Sequence, residues 1–123
     1  MRKMATVPLI ASMLMAHDVP SELRIAIDQF QEALDKNDIA RMNTLITYPL
    51  QLNWVETINT PDDFKLHYRQ IFTKARKTGF KGKAPVSLKT GWRVSSSDTN
   101  HTLELVFRMS KEGYKLYGIV THE

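Results

Sequence analysis

The chain has 123 residues, a formal net charge of +4 at pH 7, 42% hydrophobic and 24% charged residues, and no cysteine. Those fractions belong to a single folding domain rather than a disordered chain, and a domain of this size buries enough surface to fold without a metal or a cross-link. Disulfides, thiolate nucleophiles, thiolate metal sites and a lipid-modified amino-terminal cysteine are excluded.

Residues 1–16, MRKMATVPLIASMLMA, place Arg2 and Lys3 ahead of an uncharged run from Met4 to Ala16. The run is too short to span a bilayer as a helix and has the three-part pattern of a secretory signal. Cleavage is expected after Ala16, leaving one domain over 17–123 in the periplasm or outside the cell, with no transmembrane segment. Charge is unevenly spread over that domain. Residues 17–63 carry three cations against nine acids, whereas 64–97 carry nine cations and no acid. Lys74, Arg76, Lys77, Lys81 and Lys83 are therefore candidates for a basic surface facing an anionic envelope component; the competing reading pairs them with the acidic first helix. The aromatic signature of RNA binding is absent, so nucleic acid is not an expected partner.

Ser21 reads as a helix cap, followed by Leu23, Ile27, Phe30 and Leu34 on one stripe, with Asp28, Glu32 and Asp35 turned outward. Asp38 caps a second, shorter helix with Ile39, Met42, Leu45 and Ile46 on its apolar face. Pro49 pushes Tyr48 into an extended state, and Leu50, Leu52 and Trp54 then alternate as a strand. Thr60-Pro61-Asp62-Asp63 starts a third helix: a capping hydroxyl, proline in the first turn, and two acids at the positive end of the dipole. Its stripe is Phe64, Tyr68, Ile71, Phe72 and Ala75. Three strands complete the chain. Val86, Leu88, Trp92 and Val94 mark the first, with a bend at Gly91; Leu103 to Met109 alternate in the second. In the third, Tyr114, Leu116 and Val120 share one face, with Tyr117 and Ile119 on the other. The order α-α-β-α-β-β-β is that of an α+β fold, with helices packed on one face of a bent antiparallel sheet.

That order resembles the NTF2-like superfamily, which includes ketosteroid isomerase and polyketide cyclases, over roughly Glu22 to the carboxyl end. More narrowly, Tyr48-Pro49-Leu50 after a helix pair, then Asp63-Phe64 and His67-Tyr68 leading to Ile71-Phe72, is similar to small exported bacterial proteins of unknown function. The resemblance implies a conical pocket under the sheet. The base and oxyanion donors of ketosteroid isomerases have no counterparts that can be placed residue by residue, and fold alone does not carry function.

The candidate pocket residues are Tyr48, Trp54, His67, Tyr68 and Trp92. His67 lies on the apolar stripe of the third helix, either as a base or as a histidine satisfied by a backbone carbonyl. The four histidines lack metal-ligand spacing and no phosphate-binding glycine pattern occurs, so neither metal nor cofactor is expected. The leading expectation is an exported, non-enzymatic domain binding a small ligand or an envelope partner. The alternatives are an isomerase or dehydratase with His67 as base and Tyr48 or Tyr68 as donor, and an inhibitor or immunity-type interaction protein. A homodimer through the open sheet face is a further expectation, argued from Tyr117 and Ile119.

Overall fold

The computed structural model describes residues 19–73, 79–80, 83–96 and 103–122. The expected signal segment and Lys74, Arg76, Lys77 and Lys81 lie outside these residues. Among those described, no helix is long and apolar enough to cross a membrane.

Helix α1 spans Ser21–Asp35. Leu23, Ala26, Ile27, Phe30, Ala33 and Leu34 recur at three- and four-residue spacing and are buried together. Ser21 is not the cap. It is the first helical residue, and Pro20, which has no side-chain donor or acceptor, takes the cap position. The helix ends in a Schellman turn. Asn37 adopts a positive φ of 53°, its N–H donates to Leu34 O at 3.1 Å, and Asp38 N–H donates to Ala33 O at 2.8 Å. Asp38 then caps α2 (Ile39–Thr44) by accepting from Arg41 N–H at 3.1 Å.

Strand β1 (Ile46–Leu52) begins two residues before Tyr48. Ile46 therefore belongs to the sheet rather than to α2, and Leu45 is the residue that caps that helix at its carboxyl end. The Tyr48–Pro49 peptide is cis. A short strand β2 (Glu56–Ile58) pairs back on β1. Helix α3 (Pro61–Ile71) follows, with Thr60 Oγ accepting from Asp63 N–H at 3.1 Å and proline in the first turn. Strands β3 (Val86–Leu88), β4 (Gly91–Ser95), β5 (Leu103–Ser110) and β6 (Gly113–Thr121) complete a six-stranded sheet in the order β2-β1-β6-β5-β4-β3.

The α+β class holds, with two corrections. Strand β2 was not in the predicted order, since three residues are too few to show an alternation, and the one strand expected from Val86 to Val94 is two antiparallel strands, β3 and β4, divided by a turn before Gly91. The sheet is also mixed, because β1 runs parallel to β6 while every other pairing is antiparallel. Pairing between first and last strands is a long-range choice that no local pattern encodes.

A third correction concerns β6. Its register against β5 shifts between Val106 and Phe107, where Gly118 and Leu116 are the partners and Tyr117 is the extra residue. The bulge puts Leu116 and Ile119, three apart, on the core side and leaves Tyr117 on the other. Ile119 is fully buried and adds nothing to the open face.

Phenylalanines fill the space between helices and sheet. Phe30 meets Phe72 at 6.0 Å between ring centroids and Phe107 at 6.3 Å; Phe64 meets Phe72 at 6.3 Å, and Tyr68 meets Phe72 at 5.4 Å. All the rings are tilted or edge-on, which suits their quadrupoles. Gln31, 3% exposed, ties the chain after α3 to this core: its Oε1 accepts from Phe80 N–H at 2.6 Å, and its Nε2 donates to Asp35 at 2.8 Å.

Candidate ligand groove between the second and third helices

The structure divides the five predicted pocket residues. Tyr68 is part of the core, and Tyr48 and Trp92 pack partly buried against it. His67 is half-buried on α3. Trp54 lies on the opposite side of the sheet, over Gly118 and beside Tyr117 at 5.8 Å. Lys83, the one described member of the predicted basic surface, accepts through its backbone carbonyl from Arg24 Nη1 at 3.0 Å.

The polar tips of Tyr48, Tyr68 and His67 each have a hydrogen-bond partner. Tyr48 Oη donates to Asn43 Oδ1 at 2.5 Å, and Tyr68 Oη donates to Asn37 Oδ1 at 2.6 Å. The Schellman turn therefore also positions α3, because the side chain of its left-handed residue receives the tyrosine. His67 Nδ1 lies 2.8 Å from the carbonyl oxygen of Asp63, one helical turn back. A carbonyl only accepts, so the proton is assigned to Nδ1 and Nε2 carries the lone pair. This is the carbonyl-satisfied arrangement weighed from the sequence.

Burial pushes the Tyr48 hydroxyl up to about 12, and raises Tyr68 for the same reason. Because the folded state holds the Tyr48 proton more tightly, its contribution to stability is intact below about pH 10 and is lost as pH rises toward about 12. Absorbance titration at the phenolate band is expected to show late titration that Tyr48→Phe reduces, with Tyr68 still raised. Titration of every tyrosine at its ordinary value would contradict the assignment.

The groove lies between the start of α2 and the exposed flank of α3. It is open to solvent, measures about 610 Å³ and is lined by Ile39, Asp62, Lys65, Leu66, Tyr68 and Arg69. The helical period explains the set: Asp62, Lys65, Leu66 and Arg69 are three and four residues apart and share the solvent side of α3. Leu66 is 79% exposed and extends the apolar lining made by Ile39 and Tyr68. Among the described residues, Lys65 and Arg69 form no ion pair. Of the groove's lining only Tyr68 was among the predicted pocket residues, which were sought on apolar strand and helix faces, whereas the groove uses the outward face of α3. Leu66, an apolar residue off the stripe, was the available signal.

Among the described residues, no group of three or more histidine or acidic side chains is placed to hold a metal. The only buried polar side chains among them are Gln31 and Ser96, and no carboxylate is buried.

No protein-family model matches the sequence, and no curated protein matches it. A solved structure does match. It is a protein from Shewanella frigidimarina NCIMB 400 assigned as a ketosteroid isomerase, similar with a TM-score of 0.54 at 14% identity, covering 85% of this chain and 98% of that one. Three helices against a six-stranded sheet, in this order and over this much of both chains, give the chain the NTF2-like fold.

Proposed function

We propose that the protein is an exported, non-enzymatic binding domain whose α2–α3 groove takes a small amphipathic ligand with an apolar body and an anionic end. The observation that carries this reading is the groove itself. Ile39, Leu66 and Tyr68 offer apolar contact, and Lys65 and Arg69, one turn apart, have no other ionic partner among the described residues. Its volume falls in the usual range for small-molecule sites, ~300–1,000 Å³.

The non-enzymatic part rests on the core side of the sheet. The Shewanella protein's assignment raises isomerase chemistry, which moves a proton between carbons and requires a base near oxyanion donors. Here the hydroxyls of Tyr48 and Tyr68 are spent on asparagines, no described carboxylate is buried, and His67 is oriented by a backbone carbonyl that gives an imidazolium no charged partner. Export rests on the charge-then-apolar pattern of residues 1–16. The inhibitor-type reading depends mainly on lysines outside the described residues, and no structural observation favours it.

The test uses 8-anilinonaphthalene-1-sulfonate, an apolar ring system with one anionic group. At about 0.3 kcal/mol per atom for ~20 heavy atoms, a fitted site gives a Kd of tens of micromolar. A saturable rise in dye fluorescence is expected, weakened about tenfold or more by Leu66→Asp and by Arg69→Glu. Both are exposed positions, so the variants should fold as the parent does. No saturable rise, or binding by both variants that matches the parent, would reject the groove.

A further inference from the structure

The outer face of the sheet, away from the helices and the groove, carries a second cluster of functional groups. On β5, Leu103, Leu105 and Phe107 point into the core, so Glu104, Val106 and Arg108 project from the other side. At the centre, Gly118 of β6 pairs with Val106, and the benzene ring of Trp54 packs onto Gly118 so closely that a Cβ there would sit 2.8 Å from it. At one end, Tyr117, pushed outward by the bulge, lies 5.8 Å from Trp54, and the Arg108 guanidinium stacks on Tyr117 at 3.7 Å from its centroid. At the other end, the Glu104 carboxylate stands 3.2 Å from His122 Nε2 and 4.0 Å from Arg93 Nε.

Three properties of this cluster point to a ligand. Trp54 has a positive φ of 61°, a left-handed backbone that is costly for a bulky residue and that concentrates at binding sites. It is held there by Asn53, whose N–H donates to Ile119 O at 2.8 Å and whose Oδ1 accepts from Thr121 N–H at 2.7 Å. The strain does not bury the side chain, which stays 50% exposed. Arg108 makes no ion pair among the described residues, so its stacked guanidinium presents a fixed fork of donors to solvent. Arg93 Nε is buried without a hydrogen-bond partner among the described residues, and Glu104 has only His122 within hydrogen-bond distance, so that end keeps both donor and acceptor capacity unspent.

We infer that this face binds a short acidic oligosaccharide, with one sugar ring on Trp54 and a uronate carboxylate on Arg108. A pyranose has an apolar face of C–H groups and a rim of hydroxyls. The half-exposed indole offers the first an aromatic surface. The hydroxyls both donate and accept, and the far end meets them with Glu104 as acceptor and Arg93 as donor. Arg108 sets the charge. Glu104 already lies between Arg93 and His122, whereas Arg108 has no anion, so this face lacks one negative charge rather than several. A carboxylate supplies one, in the planar form that a guanidinium fork holds through two parallel hydrogen bonds; a phosphomonoester brings close to two. Glu104 and Arg108 are four positions apart on one strand, about 13 Å, which is too long for a single sugar ring and suits an oligomer. The groove on the helix side takes no part in this site, which stands whether or not the groove binds its own ligand.

Isothermal titration calorimetry with trigalacturonate tests this, with maltotriose as the uncharged sugar of equal length. Saturable binding of trigalacturonate with a Kd below about 1 mM is expected, and maltotriose should bind at least about tenfold more weakly. Arg108→Gln, which removes the charge, is expected to weaken trigalacturonate by about tenfold or more and so erase the preference. Trp54→Gly is expected to weaken both sugars. Glycine adopts the left-handed conformation without strain, so an unchanged thermal unfolding curve separates lost stacking from lost folding. Arg69→Glu, in the groove, should leave the titrations as they are, so the two sites fail separately. No saturable heat up to about 5 mM trigalacturonate, equal affinity for the two sugars, or parental affinity in Arg108→Gln overturns the inference. So does sedimentation showing a dimer that Arg108→Gln dissociates and trigalacturonate does not, since a second copy would then occupy this face.

Discussion

Phe30→Ala is expected to lower stability by about 3–5 kcal/mol, the largest effect of any single substitution considered. Phe30 is fully buried and lies between α3 and the sheet, meeting Phe72 on one side and Phe107 on the other. Truncation removes the transfer free energy of the ring and leaves a cavity whose walls are other aromatic rings. Those rings are already held by their contacts with one another, Phe64 with Phe72 and Tyr68 with Phe72, so the site cannot collapse easily. Domains of this size have ~5–15 kcal/mol in total, and the melting temperature should fall by ~10–20 °C. Phe30→Leu, which keeps most of the volume, should lose markedly less. A fall of only a few degrees in the alanine variant would mean that the rings are not packed as described.

Gly91→Ala is the second large effect, expected at about 1–3 kcal/mol from overpacking. A Cβ at Gly91 would lie 2.4 Å from the carbonyl oxygen of Phe107 and 3.4 Å from its carbonyl carbon. Both are backbone atoms of the neighbouring strand, so a rotamer change offers no relief, and β4 and β5 would have to separate where Trp92 pairs with Phe107. Gly113→Ala is the control: nothing lies within 4 Å of its Cβ position, and only its positive φ of 101° opposes the change. Chemical denaturation of the two variants against the parent checks this. Equal stability of parent and Gly91→Ala would show that the strands approach less closely than stated. The sequence placed Gly91 at a bend; the tertiary reason is the approach of a backbone from another strand.

Several elements were legible because their causes are local. The stripe Leu23–Ile27–Phe30–Leu34, the Asp38 cap and the Thr60-Pro61-Asp62-Asp63 start all stand where the pattern put them. The satisfied His67 was also foreseeable, since its partner is one helical turn away. Ser21 misled because a good capping residue sits one position inside the helix. The tyrosines looked alike in sequence and diverge in the fold. Tyr68 and Tyr48 reach asparagines on and near α2, while Tyr117 is turned outward by a bulge.

The sequence by itself determined what depends on neighbours a few residues apart: the helices, their caps, the alternation of the longer strands, and hence the α+β class. Only the tertiary structure decided which face each residue of β6 occupies, which strands are neighbours, and that α3 offers its outward side as a groove. A bulge inverts the alternation after it, and the parallel pairing of β1 with β6 joins residues some seventy positions apart. Both are settled by the packing of the whole sheet against three helices, a sum over many weak contacts that no local window contains.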